Sequence, residues 1–190
     1  MAEKTIGVLA LQGAFREHEQ MLDALGARFL EIRQPKDLTS DIAGVILPGG
    51  ESTAQRKLLE ESGLFHPLQK RLREGMPVLA TCAGLILLAQ ELSNDIAETL
   101  GTLPVRVQRN AYGRQLGSFA CSGQFGNLPR VSMRFIRAPY IEKVLNKDVQ
   151  ILSTFHGKIT AVRYKKQLAM AFHPELTKDV RIHQQFLQML

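Results

Sequence analysis

Cysteine is scarce: Cys82 and Cys121 are the two in 190 residues, too few for a disulfide framework or a multi-cysteine zinc site. No metal or cofactor is therefore expected. Long apolar runs are missing as well. The longest strongly apolar stretch, Ala83 to Ala89, falls far short of the roughly 20 residues that a bilayer crossing needs, so no membrane partner is expected. Glu3 and Lys4 lead straight into a strand-like run rather than a signal-peptide layout, and a cytoplasmic location is the expectation. Lys and Arg exceed Asp and Glu by 24 to 18, but they occur in small groups such as Lys70-Arg71-Arg73 and Arg163-Lys165-Lys166. Without a long basic tract or interleaved aromatics, these read as solvated faces, not as a nucleic-acid surface. Linkers, repeats and low-complexity segments are absent too. Residues 1 to 190, 45% hydrophobic, are expected to share one core as a single domain.

What is present is alternation. Thr5 to Leu11 is a continuous apolar run suited to a strand buried on both faces, and Ala14 to Leu25 follows with helical spacing at Phe15, Met21, Leu22 and Leu25, closed by Gly26. Arg28 to Ile32 and Gly44 to Leu47 read as the next strands, the latter ending abruptly at Pro48-Gly49-Gly50. Ser52-Thr53-Ala54-Gln55 has the pattern of a capping box opening a helix to about Glu60, Leu64 to Glu74 is a further amphipathic stretch, and Pro77 to Ala80 is a fourth strand. Beyond Glu91 the pieces become short and turn-punctuated: Pro104 to Gln108, Gln115 to Ala120, Met133 to Ile136, Val149 to Ser153, Ile159 to Arg163 and Leu168 to Phe172, with a closing helix over Val180 to Leu190. Alternating strands and helices predict a mostly parallel sheet covered on both faces, a three-layer α/β/α sandwich, with antiparallel strands added by the second half.

Three segments carry chemistry. Pro77 to Leu88 places Cys82 between a strand and an apolar helical stretch, with small residues around it, which is the shape of a nucleophile elbow. Ala80 stands where such elbows usually have glycine. Taken alone, the segment equally allows a buried packing cysteine. His173-Pro174-Glu175 offers a base and an orienting carboxylate at the end of a strand, since residues at i and i+2 of an extended segment face one side and proline biases the preceding residue toward that conformation. The other histidines, at 18, 66, 156 and 183, show no evident partner set. Pro48-Gly49-Gly50-Glu51-Ser52 is either a tight strand-to-helix turn or a source of backbone donors for an oxyanion, or both. In open α/β sheets the site lies beyond the carboxyl ends of the strands, where Cys82, the glycine pair and His173 converge.

These residues resemble the triad glutamine amidotransferases, whose flavodoxin-like class I domains carry a Pro-Gly-Gly loop, a cysteine elbow and a late His-Pro-Glu in this order. The longer segments from Gly7 to Ala14 with Arg16-Glu17-His18, Leu47 to Thr53, Thr81 to Leu85, Arg109 to Gln115, Phe135 to Pro139 and Phe172 to Thr177 are similar to those of the glutaminase subunits of pyridoxal 5'-phosphate synthases. The resemblance runs nearly end to end, and the stretch from Cys121 to Val131 departs from it. It implies that Cys82 is the nucleophile, His173 the general base and acid, and Glu175 the orienting carboxylate. It implies that Gly50, Glu51, Ser52, Arg109, Ile136 and Arg137 hold L-glutamine, and that Gly49 or Gly50 with Ala83 forms the oxyanion hole. A separate synthase subunit would take the ammonia, and its docking near the Gln12-Gly13 turn would complete the hole. Cys121, outside every motif, is assigned to packing. Two other classes stay open at this point: a non-catalytic module on the same fold, and a cysteine hydrolase for an unrelated small substrate.

Overall fold

A computed structural model describes residues 4–93, 95–109 and 118–190. Five strands, β1 (Thr5–Leu9), β2 (Arg28–Ile32), β3 (Ile42–Leu47), β4 (Val78–Thr81) and β12 (Gln167–Met170), lie side by side and parallel in the order β2-β1-β3-β4-β12, β2 forming the more exposed edge. Every residue of β1, β4 and β12 is buried, which explains why they read as unbroken apolar runs. The sheet continues past β12 through β11 (Lys158–Tyr164), β9 (Tyr140–Val144), β6 (Leu103–Gln108) and β5 (Ala89–Leu92), while β10 (Gln150–Phe155) pairs with β11. In this half, the β12-β11, β11-β9, β9-β6 and β10-β11 contacts are antiparallel. The expected mixture of a parallel centre and antiparallel additions is what forms.

Helices α1 (Phe15–Ala24) and α5 (Arg181–Leu187) share one face, joined through the rings of His18 and His183. Helices α2 (Ser52–Glu61), α3 (Phe65–Arg73) and α4 (Ala83–Leu88) pack together as the other outer layer. Hydrophobic residues from Ile6 to Phe186 form one contiguous core through these layers.

Four differences from the sequence reading have local causes. The helix predicted from Ser52 is capped one residue earlier, by the Glu51 carboxylate accepting from the Ala54 amide at 3.1 Å. Gln55 does not turn back on the cap; its Nε2 donates to the carbonyls of Gln12 (2.8 Å) and Pro48 (3.1 Å), because the neighbouring turn offers buried acceptors. Strands β5 and β9 lacked an alternating apolar signature and went unread. The atypical stretch from Cys121 belongs to a separate two-stranded sheet, β7 (Ser118–Phe125) with β8 (Leu128–Ile136). Of the predicted strand Gln115 to Ala120, residues 115–117 lie outside the described residues, as does the Asn110 to Gln115 part of the Arg109 motif.

That hairpin is attached by aromatic packing. Phe119 stacks on Phe135 and Phe155 at 4.6 and 4.9 Å, and Phe135 meets Phe172 at 5.5 Å. The His173 amide also donates to the Arg134 carbonyl at 2.8 Å, so the hairpin's end is fastened to the end of β12.

One close approach fixes the turn after β4. A Cβ on Gly84 would lie 2.2 Å from the Leu47 carbonyl oxygen, so α4 can rest on the end of β3 only without a side chain there. Gly84→Ala is expected to lower stability by about 1–3 kcal/mol through this backbone clash, read as a clear fall in the thermal unfolding midpoint. An unchanged midpoint would show that α4 shifts freely.

Candidate active site

Four adjacent parallel strands end at one place, and each delivers a piece of the site. Beyond β1 comes the Gln12-Gly13 turn, beyond β3 Pro48-Gly49-Gly50, beyond β4 Cys82, and beyond β12 His173. Together they line a cleft of about 500 Å³ whose walls include Gly49, Gly50, Glu51, Ser52, Cys82, Arg109, Ile136, Arg137 and His173. Of the candidates for the triad, the glutamine contacts and the oxyanion hole, all but Glu175 and Ala83 border this space.

Cys82 has φ 46° and ψ −98°, a conformation that a non-glycine residue adopts only when its surroundings impose it. They do so here: its amide donates to the Met170 carbonyl at 2.8 Å, and its own carbonyl accepts from Ile86 at 3.3 Å as α4 begins. The reversal turns the thiol out of the sheet, 4.0 Å from the Ile136 carbonyl. This is the elbow geometry the sequence predicted.

His173 lines the same cleft as Cys82 and is hydrogen-bonded to Glu175. Its Nδ1–H donates to Glu175 Oε1 at 2.6 Å, with the carboxylate side chain wholly buried. The pair is not held by an extended segment. Residues Pro174–Leu176 form a 3₁₀ turn, and the turn brings Glu175 back under the imidazole. Burial works against charge on His173, yet hydrogen bonds with Cys82 and Glu175 and their negative charge raise its pKa to about 10. Glu175 is likewise disfavoured by burial, but the facing His18 and the hydrogen bond and charge of His173 outweigh this and hold it below the usual carboxylate range. The imidazole of His173 thus stands between the Cys82 sulfur and the Glu175 carboxylate, the order in which a cysteine nucleophile, its base and an orienting carboxylate work.

The glycine pair has a steric role. A Cβ on Gly49 would sit 2.1 Å from His173 Cε1, so the loop reaches the imidazole only because Gly49 has no side chain. The Gly49 amide is not a free oxyanion donor: it donates to Thr81 Oγ1 at 2.9 Å in buried surroundings. That corrects one of the alternatives for the hole and leaves Gly50 with Ala83, whose amide opens α4 without an intrahelical acceptor. The loop is also tied to the Gln12-Gly13 turn, since Ala14 donates to the Gly49 carbonyl at 2.9 Å and Glu51 donates to Gln12 Oε1 at 2.8 Å.

Arg109 is more constrained than the sequence suggested. It contacts Asp95 closely, donates to Thr53 Oγ1 at 2.9 Å and lies 3.5 Å from Glu51 Oε1. Arg137 is exposed at the cleft wall with φ 41°. Among the described residues no group of His, Cys, Asp and Glu is arranged to hold a metal ion, and no helix is long and apolar enough to cross a membrane.

Two residues of this region were missed. His18 and His183, given no partners in the sequence reading, are fully buried behind the triad. His18 Nδ1 and His183 Nε2 are 2.9 Å apart, and His18 Nε2 lies 3.1 Å from Thr81 Oγ1 and 3.6 Å from Glu175 Oε2. The available signal was the helical face of α1: position 18 falls on the stripe of Phe15, Leu22 and Leu25.

Comparison with known proteins places this geometry in context. The model of the SNO glutamine amidotransferase family matches residues 8–190. A pyridoxal 5'-phosphate synthase subunit PdxT of Desulfitobacterium hafniense is 60% identical over 185 residues, covering 97% of this chain and 92% of that protein. One of the same name from Streptococcus pneumoniae is 48% identical over 187 residues, covering 97% and 96%. A crystal structure titled as a glutamine amidotransferase superposes with a TM-score of 0.91 at 41% identity, covering 97% of both chains.

The His173 charge state is directly observable. An NMR titration of its ring is expected to give a midpoint near 10, and Glu175→Gln should lower it by about one unit or more, because a hydrogen bond and a negative charge both favour the protonated ring. With the folded value above the unfolded one, this group's contribution to stability is fully present below the unfolded pKa of 6.5 and is lost as the pH rises toward 10. A wild-type midpoint near 6.5 would contradict the ion-pair arrangement.

Proposed function

The chain belongs to the SNO glutamine amidotransferase family, and on that premise we propose that it hydrolyses L-glutamine to L-glutamate and ammonia as the glutaminase subunit of a pyridoxal 5'-phosphate synthase. The observation that carries the reading is the alignment of Cys82, His173 and Glu175 at the carboxyl ends of neighbouring parallel strands, in a chain 60% identical to a synthase subunit. We take residues 1–190 as one glutaminase domain, supported by the single core. A cytoplasmic location belongs to the same proposal, because a reactive thiol persists best in reducing surroundings.

In this mechanism the Cys82 thiolate attacks the side-chain amide carbon of glutamine while imidazolium His173 stands ready as acid. The oxyanion is met by the Gly50 and Ala83 amides. As the tetrahedral adduct collapses, the C–N bond breaks and His173 gives its proton to the departing ammonia. A water then enters, His173 takes one of its protons, and the hydroxide equivalent cleaves the γ-glutamyl thioester, releasing glutamate and restoring the thiolate–imidazolium pair. Glu175 holds the ring in the orientation that presents Nε2 to both sulfur and leaving group. No metal or bound cofactor enters the sequence of steps.

Glutamine itself is proposed to lie between the Gly50-Glu51-Ser52 turn and Ile136, its α-carboxylate toward Arg109 and Arg137. The synthase subunit is proposed to dock near the Gln12-Gly13 turn and to receive the ammonia. That turn's bonds to the glycine loop give docking a route to the hole.

Glutamate release from L-glutamine, measured with the chain alone and with a synthase subunit added, tests the reading. Cys82→Ala should reduce turnover at least about 10³-fold while the fold persists, and the synthase should stimulate the wild type. Substantial turnover by Cys82→Ala in the assembled complex would rule out the thioester route.

A further inference from the structure

Behind the triad, away from the substrate cleft, lies a chain of polar groups that the proposed chemistry does not use. It runs from α5 through α1 and β4 to the carboxylate: His183, His18, Thr81, Glu175. All four side chains are buried. A buried run of this kind has to satisfy its donors, and the inventory of groups decides which way the protons point.

Suppose first that His18 carries its proton on Nδ1. It would then donate to His183 Nε2, forcing the His183 proton onto Nδ1, which is buried without a partner among the described residues. The His18 Nε2 lone pair would also face Glu175 Oε2 at 3.6 Å, lone pair against lone pair. In the opposite sense every donor is used. His183 Nε2–H donates to His18 Nδ1 at 2.9 Å, His18 Nε2–H donates to Thr81 Oγ1 at 3.1 Å while leaning toward Glu175 Oε2, and the Thr81 hydroxyl donates toward Glu175 Oε1 at 3.5 Å. The unpaired atoms left are then acceptors, His183 Nδ1 and Glu175 Oε2, and a buried acceptor without a partner is tolerated better than an orphaned N–H.

We propose that His183, His18 and Thr81 form a one-directional hydrogen-bond chain whose donors all point at Glu175, and that His18 is thereby a positioning residue for the Cys82–His173–Glu175 triad. The proposal rests on the triad assignment made above. Thr81 links this chain to the glycine loop as well, because the same oxygen accepts the Gly49 amide. Both imidazoles are neutral in this arrangement: burial lowers the pKa of His18 despite the facing Glu175, with His173 lowering and Glu17 raising it further, and burial with the neighbouring His18 lowers that of His183 to about 3. Glu175 and His173 on the turn after β12, His183 on α5 and Glu17 on α1 itself are the titratable groups that face His18.

The test has one arm that needs no turnover. Long-range ¹H–¹⁵N NMR at pH 7 should find His18 and His183 as neutral Nε2–H tautomers. An Nδ1–H tautomer or a charged ring at either position overturns the proposal. In His18→Leu the titration midpoint of His173 should fall by about one pH unit, because the carboxylate loses part of its fixing. His18→Gln, which can place an amide donor where Nε2–H was, should restore it. In the glutaminase assay with the synthase subunit, His18→Leu should lower kcat about tenfold or more with KM within about twofold of wild type.

A role in packing alone would lower the unfolding midpoint of His18→Leu but leave the His173 titration in place, and that result would refute the chain. If His18→Leu does not fold, Thr81→Val removes the hydroxyl at constant shape and is subject to the same criterion. Should wild type show no glutaminase activity, the triad's assigned reaction fails, while the tautomer and titration arms still decide whether the chain exists.

Discussion

A carboxylate with no exposed surface sits at the base of the site, and much of the surrounding geometry follows from keeping it charged. Removing such an ion from water costs several kcal/mol even after relaxation, a cost that is offset only by close donors and an opposite charge. Glu175 has both in His173, whose ring lies 2.6 Å away. The remaining lone pairs face Thr81 and His18, so β4 must present Thr81 downward and α1 must present His18 inward. Thr81 is the last residue of β4, and the reversal at Cys82 that follows it turns the thiol to the cleft while Thr81 faces the carboxylate.

The strained turn at Cys82 belongs to the same arrangement. A non-glycine residue at φ 46° costs on the order of 1–3 kcal/mol and persists only where neighbours over-determine it. Here the neighbours are two flanking strand ends. Met170 on β12 holds the Cys82 amide, and the Leu47 carbonyl on β3 meets the bare face of Gly84. Because the same strands continue into His173 and into Gly49-Gly50, the forces that impose the turn also set the distances within the site. Rigidity of the sheet is thus passed to the reacting groups without a dedicated loop structure.

The central strands, the elbow and the His-Pro-Glu segment were legible because each leaves a local mark: unbroken apolar runs, small residues flanking a cysteine, a proline after a histidine. The three-layer arrangement and its parallel centre follow from those marks. Strands β5 and β9 were not legible, since Glu91 and the Glu142-Lys143 pair interrupt any apolar alternation and the strands form because β6, and for β9 also β11, offers them a partner. The register of α2 was misread by one residue, because Glu51 and Ser52 are both competent caps and only the position of the glycine loop selects between them. His18 and His183 were invisible for a different reason. They lie 165 positions apart and acquire meaning only when α1 and α5 meet on one face. A helical stripe can show that His18 points inward, but no local pattern shows what it finds there.

The two arginines proposed to receive the glutamine carboxylate differ in what they can offer. Arg109 is already compensated, with Asp95 on one arm and Thr53 and Glu51 on the other. The Glu51 contact is the weak one, at 3.5 Å with that carboxylate about half exposed, and pairs of this kind contribute little. Glu51 also has a second anchor, since Oε2 caps α2 through the Ala54 amide while Oε1 faces Arg109. An incoming carboxylate can therefore replace Oε1 at Arg109 without uncapping the helix. Arg137 is exposed and makes no ion pair among the described residues, so its charge reaches the cleft uncompensated. In the proposed binding mode the approaching substrate is drawn first by Arg137, and Arg109 engages by exchanging one carboxylate for another, which selects for a ligand that carries an α-carboxylate.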